Sequence, residues 1–165
     1  MKTIYYLIAI SIMLVSTSCN EVKSKADCED DKEAIESLLE NYVLANENQD
    51  FDLIESIWAD DDDIILYGTA SDERLMGWEN INNAITEQFG LITDTYISSS
   101  NQFIKLNCTG NTAWFAETLN YNYMYKDVAL SYEGMRFTGV VERIDGEWVL
   151  VQAHLSLPAH DGIGD

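Results

Sequence analysis

The chain is 165 residues long, which gives room for one domain with its own hydrophobic core. Its 29 acidic and 9 basic side chains give a formal net charge of -20 at neutral pH, and 47% of its residues are apolar. A surface of that sign repels phosphate backbones and anionic headgroups, so nucleic acid is excluded as a partner and any membrane attachment needs an anchor rather than charge. The plainest role of the acid excess is solubility.

Met1-Lys2-Thr3 is a short positive start, Ile4 to Val15 is apolar, and Ser16-Thr17-Ser18 is a run of small residues. This is the layout of a secretory signal, and its apolar run is too short to span a bilayer. Leu14-Val15-Ser16-Thr17-Ser18-Cys19 resembles a bacterial lipobox. That resemblance implies removal of residues 1–18 and lipidation of Cys19, which would tie an exported protein to the membrane. Each buried acyl methylene is worth about 0.8 kcal/mol, so several chains on one cysteine hold firmly. Residues 19–30 are polar and without periodicity, and read as a flexible tether. Cys28 lies in it and Cys108 at a strand end; without a cysteine pattern the two read as free thiols, although the compartment permits a disulfide.

The domain is expected over 31–160. Ile35, Leu38, Leu39, Tyr42 and Val43 make one apolar face of a helix over 31–47, with Asp30 or Asp31 capping its start. Asp50 caps a second helix over 51–58, whose inner face carries Ile54, Ile57 and Trp58. Asp60 to Asp63 lack the alternate ligand spacing and glycine turn of a calcium loop, and read as a solvated turn. Ile64 to Tyr67 and Arg74 to Met76 are short strands. Gly77 leads into a third helix over 78–89, which Gly90 ends.

Beyond it, Thr95–Asn107, Thr112–Tyr125, Ala129–Ile144 and Glu147–Leu157 are rich in Thr, Tyr, Phe, Val and Ile, and turn residues separate them. They read as an antiparallel meander. Helices first and strands afterwards make an α+β fold with the helices on one face of a curved sheet.

With these elements placed, the chain resembles the SnoaL-like and ketosteroid-isomerase-like superfamily, the cone-shaped fold shared with nuclear transport factor 2. Tyr42 to Asp50 with Ile57-Trp-Ala-Asp-Asp61 is similar to the family's helix, turn, helix and A-D-D. Arg136-Phe-Thr138, Asp145-Gly-Glu-Trp148 and His154-Leu-Ser156 are similar to its R-x-T, D-G-x-W and H-x-S ending, found also in the association domain of calmodulin-dependent kinase. Gly77-Trp-Glu-Asn-Ile81 fits the glycine before the third helix. The resemblance implies a pocket inside the cone and a homodimer through the outer face of the sheet.

In ketosteroid isomerase an aspartate base works with a tyrosine and a protonated aspartic acid. Tyr42 matches that tyrosine, but the base position falls on Leu66 and the second acid near Val140, so that chemistry is not expected. A ligand site is expected at Tyr42, Trp58, Leu66, Arg136, Thr138 and His154. Arg136 would clamp a carboxylate if it faced the cone; otherwise it pairs with Glu133 or Glu117, or meets solvent. His154 would be a general base, or a histidine that holds a neighbouring strand. A two-residue loop at Asp145-Gly146 sets His154 opposite Phe137, and a three-residue loop with a glycine bulge sets it opposite Arg136. No Ser/His/Asp set, phosphate loop or cysteine-pair metal site is visible, so neither metal nor cofactor is expected.

Three functions remain open: an anchored binding protein with a small, partly apolar ligand in the cone; an isomerase, dehydratase or cyclase with His154 as base; and a structural dimer.

Overall fold

The computed structural model describes residues 25–107 and 110–158. The signal segment 1–18, the lipidation of Cys19, part of the tether and Cys108 lie outside the described residues. Cys28 is disulfide-bonded, which corrects its reading as a free thiol. No helix among the described residues is long and apolar enough to cross a membrane.

The first helix, α1 (Lys25–Asn48), begins earlier than residue 31 and takes in the end of the expected tether. Its stripe of Ile35, Leu38, Leu39, Tyr42 and Ala45 is buried, as the apolar period requires. Because the helix starts early, Asp31 lies inside it and is no cap. Its Oδ1 accepts from Arg143 Nη1 at 2.9 Å and from Trp148 Nε1 at 3.2 Å, with Asp31 only 5% exposed. Arg143 Nε also donates to the carbonyl of Gly146 at 2.9 Å. One buried carboxylate therefore fastens α1 to the Asp145-Gly146 hairpin, and two donors offset its desolvation.

Asp50 caps α2 (Phe51–Ile57) by accepting from the Leu53 amide at 3.0 Å. Asp60 to Asp63 are all exposed. They lead to β1 (Ile65–Tyr67), β2 (Arg74–Met76) and α3 (Trp78–Leu91). Gly90 does not end α3. The helix runs one residue further, and the Gln49 amide donates to the carbonyls of Phe89 at 2.9 Å and Ile92 at 2.6 Å. A side chain thus supplies the C-terminal partner that a glycine turn would otherwise provide.

The long strands are β3 (Ile92–Leu106), β4 (Thr112–Tyr125), β5 (Val128–Ile144) and β6 (Glu147–Ser156). Lys126 and Asp127, at φ 49° and 63°, and Asp145 and Gly146, at 51° and 98°, make two-residue turns with both φ positive. Such turns match the strand twist. The six strands lie in the order β2-β1-β6-β5-β4-β3. The four long strands form the expected antiparallel meander, and β1 joins β6 in parallel, so the sheet as a whole is mixed. The helices cover its concave face, as the α+β reading expects.

Register shifts bend the sheet. One falls in β6: Val141 faces Leu150 but Val140 faces Gln152, which leaves Val151 as an extra residue. The adjacent carbonyl of Leu150 accepts from the Ala59 amide at 3.0 Å and so ties the α2–β1 connection to the sheet. Gly139 sits opposite Ala153. A Cβ there would overlap the Gln152 carbonyl oxygen and the Phe115 ring.

The bulge and its glycine form one packing unit. Gly139→Ala is expected to lower stability by about 2 kcal/mol through overpacking, with the fold kept. Urea denaturation of the two proteins measures it, and an unchanged midpoint would show that the bulge can shift at no cost.

Candidate functional site

Between α1, α3 and the concave face lies a cavity of about 180 Å³. Tyr42 and Asn46 reach it from α1, and Ile85 and Gln88 from α3. The sheet contributes Leu66, Tyr121, Tyr123, Tyr132, Met135 and Leu155, and the loop after β1 adds Thr69 and Glu73. Alternation explains the sheet wall: successive inward positions of β4 carry Phe115, Glu117, Leu119, Tyr121 and Tyr123.

The polar groups of the wall are joined. Asn46, 4% exposed, donates to the Tyr42 carbonyl at 2.8 Å and shares a side-chain hydrogen bond with the Tyr42 hydroxyl. The Tyr121 hydroxyl donates to Asn46 Oδ1 at 3.5 Å and accepts from Gln88 Nε2 at 3.1 Å. Burial, then the nearby Glu117 charge, pushes the Tyr42 hydroxyl well above the ordinary phenol range. Burial does the same to Tyr121. Burial, then the hydrogen bond with Tyr132, lifts Tyr123 to about 12. These three therefore stay neutral phenols at physiological pH, able both to donate and to accept.

Tyr42 is held from behind. Its ring stacks on Phe137 at 4.5 Å, and Phe137 meets Phe115 edge-on at 4.9 Å. Stacked aromatics of this kind add about 1 kcal/mol beyond the area they bury. At the rim, a Cβ on Gly68 would overlap the Glu73 carboxylate, so the absent side chain leaves the place that Glu73 occupies. Glu73 Oε2 accepts from the Ala70 amide at 3.2 Å.

The residues expected at a ligand site separate into three groups. Tyr42 and Leu66 line the cavity. Trp58 packs in the core at 3% exposure, off the cavity wall, and its Nε1 has no hydrogen-bond partner among the described residues. Arg136, Thr138 and His154 lie on the opposite face of the sheet. Neither expected register holds. Ile144 faces Glu147 across a two-residue loop, as the first alternative requires, yet His154 faces Thr138. The extra Val151 is the reason, because a one-residue offset exchanges the two faces of a strand. Trp148 and Leu150 point inward before it, and Ala153 and Leu155 after it.

His154 is exposed and packs edge-on against Tyr67 at 6.0 Å. Arg136 is exposed too, and its Nη1 meets the Leu157 carbonyl at 3.5 Å. The carboxylate clamp and the histidine base expected inside the cone are thus corrected by placement: neither reaches the cavity.

Two features of the interior escaped the sequence reading. The tyrosine wall needs the pairing of Tyr121 with Tyr132 across β4 and β5, although the alternation at 121 and 123 was there to be read. The other is Glu117, on the inward face of β4 and 4% exposed. Its Oε2 accepts from Gln102 Nε2 at 2.9 Å, while Oε1 has no partner among the described residues. Burial raises its pKa, and the Gln102 bond opposes only part of that. No group of three or more possible metal ligands occurs among the described residues.

The sequence pattern of the SnoaL-like domain matches residues 35–160. No curated protein matches the chain. Among solved structures, a nuclear transport factor 2-like superfamily protein of Salmonella enterica shares 18% identity and a TM-score of 0.73, over 84% of this chain and 98% of that one. A Novosphingobium aromaticivorans protein provisionally named a scytalone dehydratase shares 14% identity and a TM-score of 0.73, over 82% and 89%. A Streptomyces avermitilis protein of the same superfamily, provisionally named a dehydratase, shares 17% identity and a TM-score of 0.71, over 80% and 99%. At these identities the likeness establishes the fold alone.

An acid whose pKa is raised by folding binds its proton more tightly when folded. Glu117 therefore favours folding most below the ordinary carboxylate range, and that contribution is lost as pH rises to its elevated folded value. Glu117→Met is expected to raise stability at pH 8 by on the order of 1 kcal/mol, and by less at pH 4. Thermal melts of both proteins at the two pH values check this; a difference independent of pH would mean that Glu117 is not strained by its burial.

Proposed function

The chain belongs to the SnoaL-like domain family over residues 35–160, and from that premise we propose that it is a binding protein holding a small, partly apolar ligand inside its cone. The observation that carries this reading is the cavity, which side chains have not filled. Its apolar walls offer area, and the Tyr42–Asn46–Tyr121–Gln88 chain offers a few placed hydrogen-bonding groups, which is the usual make-up of a small-molecule site. A ligand present at a hundred times its dissociation constant adds about 2.7 kcal/mol of stability. In a thermal-shift screen of small aromatic and cyclic compounds, a hit is expected to be lost in Leu155→Trp, which fills the cavity, and kept in Arg136→Ala. Loss in Arg136→Ala alone would move the site to the outer face of the sheet.

Chemistry on the bound molecule is the second reading, favoured by the provisional names of two proteins of like fold. Glu73 would then be the proton acceptor, because it is the carboxylate among the lining residues. Turnover of a hit that stops in Glu73→Gln would establish it.

The protein acts, in this proposal, outside the cytoplasm, tied to the membrane through a lipid on Cys19. The disulfide at Cys28 supports an oxidising compartment, and the layout of residues 1–19 supports the lipid. The intact mass of the protein from its own cells is expected to start at Cys19 and carry acyl chains. A lipid-free mass starting at any other residue overturns the anchor.

A further inference from the structure

We propose that the cavity selects a small organic cation, a quaternary ammonium or a protonated amine, between its tyrosine faces and the carboxylate of Glu73; this rests on the ligand-binding reading above and gives the ligand's charge. Glu73 is the charged side chain among the cavity's lining residues, which include no Lys, Arg or His. A more open hollow of about 430 Å³ adjoins the cavity, shares Glu73, Gln88, Ile92 and Tyr123 with it, and adds Glu87 and Tyr125. The lining of the way in therefore holds two carboxylates and again no basic residue.

The aromatic groups suit the same ligand. Tyr121 and Tyr123 stand edge to face, 5.8 Å apart at 83°, and Tyr132 lies 6.0 Å from Tyr123. Ring faces carry negative potential and attract an alkylated ammonium, which also buries its methyl groups against them. The phenols of Tyr121 and Tyr123 keep their protons, so the wall takes up the cation with rings and hydroxyls while Glu73 supplies the counter-charge.

The nearby cations of the chain are turned elsewhere. Arg136 and His154 are across the sheet, and Arg74 Nε donates to the Tyr67 hydroxyl at 3.2 Å. Lys126 stands at the tip of the β4–β5 hairpin with its Nζ 4.8 Å from the centre of the Tyr125 ring, so a ring of the outer hollow already holds a cation in this way. An anionic ligand would meet Glu73 and Glu87 with no Lys, Arg or His among the lining residues to offset them, and would approach through the field of a chain of net charge -20.

The test is calorimetric titration of the full protein, as purified from its cells, with choline, its uncharged isostere 3,3-dimethylbutan-1-ol, and 3,3-dimethylbutanoate. Choline is expected to bind about tenfold or more tighter than the alcohol, and the carboxylate not at all. Glu73→Gln should bring choline and the alcohol close to parity. Tyr132→Leu should weaken choline more than the alcohol, and Tyr132→Phe, which keeps the ring face, should weaken choline less than Tyr132→Leu does. The alcohol binding as tightly as choline would overturn the cation preference and leave the ligand-binding reading standing. Choline binding that survives in Leu155→Trp would place the cation outside the cavity and overturn the proposal. Failure of all three probes would overturn it too, and the broader screen would then decide the ligand-binding reading on its own.

Discussion

One extra residue in the last strand, Val151, sets which side chains that strand shows to the interior of the cone. Before it, the even positions of β6 face the helices; after it, the odd ones do. Ala153 and Leu155 are turned into the core and His154 is turned out. The offset needs room, which Gly139 supplies by carrying no side chain where the Gln152 carbonyl and the Phe115 ring come close. It also coincides with the place where the α2–β1 connection joins the sheet, through the Ala59 amide and the Leu150 carbonyl. The inward turn of Leu155, the outward turn of His154 and the seat of β1 all lie at that single break in alternation.

The interior so formed has an uneven polarity. Around the cavity, phenols and side-chain amides answer one another in a chain from Gln88 to Tyr42. Deeper in, Glu117 is a carboxylate with one oxygen bonded and one not. Asp31 shows the other solution to a buried acid, with an arginine and a tryptophan converging on one oxygen. Asp31 holds a helix to a hairpin, whereas Glu117 adds a destabilised charge beside the ring that lines the cavity. A buried charge short of partners is costly, and such sites are often where proteins keep function.

Much of the architecture was legible from local rules. The apolar period of α1, the Asp50 cap, the glycine before α3 and the two hairpin turns all stand where the residue pattern puts them. Local rules failed where a distant partner intervened. Asp31 looked like a cap because Arg143 and Trp148 are far off in sequence. Gly90 looked like a helix stop because the Gln49 amide comes from another element. The parallel pairing of β1 with β6 leaves no mark within either segment.

The sequence by itself determined the class of fold, the three helices, most strand boundaries, the acidic surface and two members of the cavity wall, Tyr42 and Leu66. The helices, strands and turns rest on periodicity and turn chemistry, which act over a few residues, and the two wall residues rest on the resemblance to the family. Only the tertiary structure decided which residues share the cavity. The sense of a strand face is fixed by counting from a hairpin, and one bulged residue reverses every side chain beyond it. For that reason His154 could be placed on a strand from the sequence but not on a face, whereas Arg136 lies on β5, which has no extra residue between it and the hairpin. The tyrosines of β4 and β5, and Glu73 over Gly68, came together only when the sheet was paired and curved.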